Sequence, residues 1–439
     1  MSEPALTVLV RGGTVVDELG ERRADVLVRG GAVVEVDNAL DAPSGATVLD
    51  AGGCLVSPGL VDIHVHLRQP GMEEAETVES GSRAAALGGF TAVLAMPNTD
   101  PPVDSAAVAG EVLSLGASAL CRVSVAGAIT VGRAGERLAP MGELAALGVR
   151  VFTDDGAGVQ DAGVMRRALE YARGLGVTLA QHCELSSLAD GGLMHEGEWS
   201  SRLGVPGVPA EAEELMVARD VALARLTGAR VHFLHLSTAG SAALVAQAKQ
   251  EGLAVSAEVT PHHLTLTDAE LESYDPLYKV NPPLRRAADV SALRAGCAAG
   301  TIDAVASDHA PHPPEAKETT LEAAAPGMLG LETALAVTMG ALTDGTGMSA
   351  RDVLALMSWR PARVAGMAAE HGGDQGGPIQ PGAAANLCVF DPAREWEVDP
   401  ARLASRSRNT PWAGRTLRGR VRHTIYRGEP VVIDGAAQR

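Results

Sequence analysis

Eight short apolar runs, separated by stretches of helical spacing, decide what this chain of 439 residues can fold into. They lie at 61–67, 91–97, 121–127, 149–154, 177–182, 231–236, 253–259 and 302–307. A strand wetted on one face alternates apolar with polar residues, whereas one covered on both faces reads as a near-continuous apolar run. Most of these runs lead into helical spacing, as in Val164 to Arg173, Ala210 to Leu226 and Ala239 to Gln250. Strand and helix in alternation predict an α/β protein with a parallel sheet, and eight such units are what a closed (β/α)8 TIM-type barrel requires. A doubly wound open sheet is the alternative, but no G-x-G-x-x-G follows the first run to favour it.

The two ends have a different texture. Residues 5–55 alternate short β runs with glycine turns, as in Leu6 to Val10, Gly12-Gly13 and Ala24 to Val28. The same texture returns in Ala385 to Phe390, Val421 to Tyr426 and Pro430 to Ile433. Both ends together are expected to make one small β domain, 1–55 plus 370–439, beside a barrel spanning 56–369.

A barrel of this kind carries its chemistry at the C-terminal ends of its strands. There the sequence places His64 and His66, Asp154 and Asp155, His182, His235 and Asp308. Buried imidazoles and carboxylates are costly unless something pairs them, so this convergence predicts a metal site. On a regular strand His64 and His66 share a face, and Asp62 shares it too, where it would hold one ring by its far nitrogen. His232, three before His235, falls on the opposite face and is expected to pack under a helix.

Charge narrows the partners. A formal net charge of -18 argues against nucleic acid and against an anionic membrane, so an anionic small substrate would need its own local positive group. No apolar run is long enough to span a bilayer, and Met1-Ser2-Glu3-Pro4 lacks a signal-peptide layout, so the expected location is the cytoplasm. The five cysteines are scattered with no C-x-x-C, which suits free thiols; Cys183, beside His182, is expected to be inert packing.

Nine segments in order give the chain a family resemblance: Asp62 to Arg68, Met96 to Thr99, Phe152 to Gly156, His182 to Glu184, His235 to Thr238, Pro261 to Leu264, Lys279 to Arg285, Ser307 to His312 and Gly327 to Glu332. With them the chain resembles the amidohydrolase superfamily, and within it the dihydroorotases of the long bacterial type. The resemblance implies zinc, one or two ions, with His64, His66 and Asp308 at the first position and His182 and His235 at the second. Many relatives bridge the two with a carboxylated lysine, but the first lysine here is Lys249, past strand six; Asp154 and Asp155 face opposite ways on a strand, and the family's spacing to His182 implies Asp155 as the bridge.

The implied reaction is reversible ring opening of dihydroorotate to carbamoyl aspartate by a zinc-activated water, with Asp308 as base and then acid. Arg68, Asn98 and His312 would hold the substrate carboxylate, and Asn281 and the backbone around Gly327 the ureide edge. His262 and His263 are expected only to shape their loop, and 311–326 reads either as a lid or as an ordinary exposed loop. A hydantoinase, dihydropyrimidinase or allantoinase would use the same fold. A catalytically silent scaffold for aspartate transcarbamoylase is the reading from another class, although all six ligand positions are filled. A homodimer is the default assembly, with transcarbamoylase a further partner.

Overall fold

Eight strands alternate with helices through the middle of the chain: Leu60–Val65, Phe90–Ala95, Arg122–Val125, Val151–Phe152, Thr178–Gln181, Arg230–Phe233, Val255–Val259 and Ala304–Val305. The structure is a computed structural model describing residues 6–439. The first three strands pair as one parallel arc and the last five as another. Parallel bridges Gly127–Phe152 and Val65–His309 join the arcs at both seams. Thr153 N donates to Gly127 O (2.8 Å) and His66 N to His309 O (2.9 Å), so the sheet closes on itself.

The helix Ala162–Leu175 shows how the outer layer is specified. The Asp161 side chain caps it by accepting from Val164 N, and Gly176 ends it at φ 69°, a conformation glycine adopts without Cβ strain. Val164, Met165, Ala168, Leu169 and Ala172 recur at three- and four-residue spacing and are buried, the stripe an amphipathic helix lays on a sheet. Inside the barrel, Val61, Ile63, Ala92, Leu94, Ala126, Val151, Ala180, Leu234, Ala304 and Ala306 form one buried cluster. Alanine at five of these ten positions leaves room for larger polar side chains.

The first strand carries a bulge that matters for the site. Asp62 pairs with Val93 and Val65 with Ala95, so three residues advance against two. An extra residue in a strand reverses the alternation of faces beyond it. Asp62 therefore does not share a face with His64 and His66, contrary to the expectation from regular alternation.

Segments from both ends of the chain build a nine-stranded sheet. They meet where Leu55–Pro58 runs antiparallel to Leu387–Glu397, with Leu387 opposite Pro58. Val8, Val10, Val26, Val56, Leu387, Val389 and Ile425 form a separate core beneath it. Gly59 N donates to Asn386 O (2.8 Å) just before the first barrel strand begins, so this sheet anchors the strand that carries the histidines.

Candidate metal centre

The barrel strands stop short of most of the polar residues at their ends. Strand four is only Val151–Phe152, leaving Asp154 and Asp155 in the turn beyond. Arg68, His235 and Asp308 have φ of 61°, 28° and 46°, the left-handed region that non-glycine residues rarely enter and that clusters at functional sites. These turns point side chains from distant strands at one place.

Asp155 lies at its middle. Its Oδ1 is 3.4 Å from His64 Nε2 and 3.6 Å from both His182 Nδ1 and His235 Nε2, and its Oδ2 is 3.7 Å from His66 Nε2. Asp308 Oδ1 closes the other side, 3.1 Å from His66 Nε2 and 3.5 Å from His64 Nε2. Two triads of metal-ligand type result, His64–His66–Asp155 and Asp155–His182–His235, sharing one carboxylate. The neighbouring aspartate is used elsewhere: Asp154 accepts from Ile129 N, Thr130 N and Thr130 Oγ1, which fixes the turn that presents Asp155.

The rings are held from behind by partners the sequence reading did not assign. His64 Nδ1–H donates to Glu258 Oε1 at 2.6 Å, so Glu258 fills the place expected of Asp62. Asp62 instead accepts from the backbone N–H groups of His64 and Ser307, tying strand one to strand eight. Asn98 Oδ1 accepts from His66 Nδ1–H at 2.8 Å, and the Asn281 amide lies 3.5 Å from His182 Nε2. His232 does not pack under a helix. It sits between Ser256 Oγ (2.8 Å) and Glu258 Oε2 (3.0 Å), because His235 lies past the strand end and a face count made from it does not carry back. One signal for Glu258 was present: a carboxylate between Ala257 and Val259 in a strand buried on both faces must have a partner.

Electrostatics agree with a cation at this place. Burial pulls the His64 pKa down, but Asp155, Asp308 and Glu258 outweigh it and hold it well above the ordinary imidazole value. Burial pushes Asp155 up, yet His64, His182 and His235 keep it well below the usual carboxylate range. Asp308 is lowered likewise, against burial, by His64 and His66. His64 Nε2 and Asp155 Oδ1 are buried without a hydrogen-bond partner. His182 Nδ1 and His235 Nε2 approach to 3.0 Å, which two lone pairs tolerate only with a proton or a cation to share. Nitrogen and carboxylate donors in this arrangement fit zinc.

The remaining site residues ring the mouth. Arg68 Nε donates to Pro311 O (3.1 Å), and its Nη2 lies 3.5 Å from His312 Nε2. Burial lowers the Arg68 pKa to about 10, still cationic at neutral pH. Burial and the adjacent Arg68 lower His312 to about 3, so it is neutral and adds no repulsion. Gly327 has φ 141°, and a Cβ there would fall 2.8 Å from both Ala310 Cβ and His312 Nε2. Lys279 O accepts from Gly327 N, while Lys317 Nζ donates to Lys279 O and Ala325 O, pinning the segment 311–326 over the mouth. His263 shapes its loop through Thr260 and Pro282 O. His309 turns away to Glu76, and burial keeps the Cys183 thiol protonated.

Known proteins share this architecture. A family model described as "Dihydro-orotase-like" matches residues 53–241. The chain is 48% identical over 437 residues to a dihydroorotase of Anaeromyxobacter dehalogenans, covering 98% of this chain and 99% of that one. It is 51% identical over 430 residues to a dihydroorotase of Streptomyces coelicolor, covering 97% and 98%. Among solved structures, L-hydantoinase from Arthrobacter aurescens superposes with a TM-score of 0.86 at 26% identity, covering 98% and 97%. Dihydropyrimidinase from Brevibacillus agri gives 0.85 at 23% identity, covering 99% and 96%.

Proposed function

This chain belongs to the dihydroorotase family, and from that premise we propose that it uses zinc to hydrolyse (S)-dihydroorotate reversibly to N-carbamoyl-L-aspartate in pyrimidine synthesis. The observation that carries the reading is the shared carboxylate of Asp155 facing four imidazoles, with Arg68 at the rim of the same mouth. His64, His66 and Asp308 would hold one ion, His182 and His235 a second, and Asp155 both. When bound, zinc supplies a Lewis acid for the ring amide and brings a water's acidity near neutral pH.

The protein's own residues supply the rest. Asp308, kept ionised by His64 and His66, takes the water proton as oxygen bonds to the ring carbonyl carbon. It returns that proton to the ring nitrogen as the C–N bond breaks. Arg68 offers a planar fork to the substrate carboxylate, the group that separates dihydroorotate from uracil-like rings. Asn98 does two jobs: its oxygen orients His66, and of its two amide N–H groups one lies toward Asp155 Oδ2 at 3.5 Å and the other remains for that carboxylate. His312, whose Nε2–H donates to Pro326 O at 2.9 Å, would complete the contact by exchanging that partner for the substrate carboxylate, and Asn281 with the backbone at Gly327 reads the ureide edge. The division into 1–55 plus 370–439 and 56–369, a cytoplasmic location, a homodimer and association with aspartate transcarbamoylase belong to the same proposal. Among the described residues no helix is long and apolar enough to cross a membrane.

The test is the isolated chain with zinc restored, against the same chain stripped by a chelator. Ring opening of dihydroorotate without any transcarbamoylase, lost on stripping and at least about 100-fold slower with dihydrouracil, hydantoin or allantoin, is expected. A zinc-loaded chain inert toward dihydroorotate, or one preferring a ring without the carboxylate, overturns the proposal.

A further inference from the structure

Beneath the four imidazoles lies a buried carboxylate that the reaction does not consume. Glu258 stands on the seventh barrel strand, fully buried. Its Oε1 accepts from His64 Nδ1–H at 2.6 Å and from the backbone N–H of His235 at 3.3 Å, and its Oε2 accepts from His232 Nε2–H at 3.0 Å. Ser256 Oγ–H, two residues back on the same strand, donates to His232 Nδ1 at 2.8 Å. Burying an ionised carboxylate costs several kcal/mol unless its lone pairs are satisfied, and here three donors converge on it.

We propose that Glu258 is the positioning residue that couples the two halves of the metal pair, with His232 and Ser256 holding it in place from inside the barrel. The inference rests on the zinc reading above and concerns how this chain presents its ligands. By accepting at Nδ1, Glu258 sets the His64 tautomer with its proton on that nitrogen, so the Nε2 lone pair faces Asp155 and Asp308. Through the same oxygen it holds the His235 amide, whose residue sits at φ 28° and needs a partner to stay there. One atom thus fixes a ring from one triad and the backbone of a ligand from the other.

The remaining rings are supported differently. His66 leans on the neutral amide of Asn98 and His182 lies near Asn281. Among the described residues, His64 alone of the four rings has a carboxylate at its far nitrogen. The direction of the array also follows from its donors. An ionised Glu258 can only accept, so His232 Nε2 carries the proton, and in the neutral ring Nδ1 is then left to accept from Ser256 Oγ–H. His232 is therefore a support for Glu258, two bonds removed from the ligand it affects.

The experiment uses the full-length chain and reads zinc directly, by competition with a chelator and by metal content, together with 15N spectra of the histidine rings in the zinc-loaded protein. In Glu258→Gln, which keeps the shape, zinc affinity is expected to fall roughly 10- to 100-fold, and the slowly exchanging Nδ1–H signal of His64 to weaken or move. In His232→Gln, which leaves Glu258 in place, a smaller loss in the same direction is expected, and Glu258→Asp should recover part of the affinity. Urea unfolding of each metal-free variant separates a folding defect from a binding one. A folded Glu258→Gln that binds zinc as the unaltered chain does, with the His64 signal unmoved, overturns the inference. If Glu258→Gln does not fold, the His232→Gln result decides alone, and unchanged affinity there overturns it. Failure of the zinc reading itself would look different, because the unaltered chain would then bind no zinc.

Discussion

Replacing Arg68 with methionine should separate recognition from metal binding. The guanidinium sits at the barrel mouth, anchored by Nε to Pro311 O at 3.1 Å, and its Nη2 is held only by a long 3.5 Å approach to His312 Nε2, so the terminal nitrogens can turn to a carboxylate. A charge-assisted hydrogen bond contributes about 1.5–3 kcal/mol, and a bidentate pair makes two. Arg68 is only part-buried, so water recovers some of that loss, and about 3–4 kcal/mol is the expected net cost. That corresponds to roughly 200- to 1,000-fold in kcat/KM for dihydroorotate. Zinc content should not fall, since Arg68 touches no ligand oxygen and its charge works against the neighbouring His66, whose pKa is lowered by burial and by Arg68. The assay pairs steady-state ring opening with zinc analysis of the same sample, and with dihydrouracil as a substrate lacking the carboxylate. Turnover of dihydroorotate within about threefold of the unaltered chain, or zinc lost in parallel with activity, would refute the reasoning.

Other outcomes follow from single contacts. Gly327→Ala places a Cβ 2.8 Å from Ala310 Cβ at a φ of 141°, so a stability loss of about 1–3 kcal/mol and a raised KM are expected; a melting temperature and KM that both stay put would contradict the packing described. Glu332 gives a pH signature. Burial raises its pKa to about 7 from the usual 4.5, so the folded chain binds the extra proton between those values and stability declines as pH rises through them. Part-exposure reduces the full effect to about 2 kcal/mol. Glu332→Gln keeps the acceptor for Ala404 N, and should raise the urea midpoint at pH 8 but not at pH 4. Equal gains at both would exclude this cause.

The sequence disclosed the barrel and the residues at its mouth for a definite reason. Doubly covered strands read as apolar runs, so His64, His182, His235 and Asp308 stood out at their ends. What was hidden depended on backbone irregularity. The bulge between Asp62 and Val65 reverses side-chain parity without any signature in the letters, and it misdirected the role given to Asp62. The same blindness placed His232 under a helix, because the count ran back from His235, a residue outside the strand. Glu258 lies inside an apolar run and ends no strand, so attention to strand ends passed it by. A rule asking what pairs each polar residue inside such a run would have flagged both. Asn98 was expected to touch substrate, and its hydrogen bond to His66 needed coordinates.

The central claim is that residues from five strands grip metal around Asp155. Anomalous diffraction at the zinc edge from crystals of the zinc-loaded chain tests it most directly. Signal is expected between His64, His66 and Asp308 on one side of Asp155 and between His182 and His235 on the other. Zinc bound elsewhere, or Asp155 turned away from a metal that the histidines hold, would contradict the account.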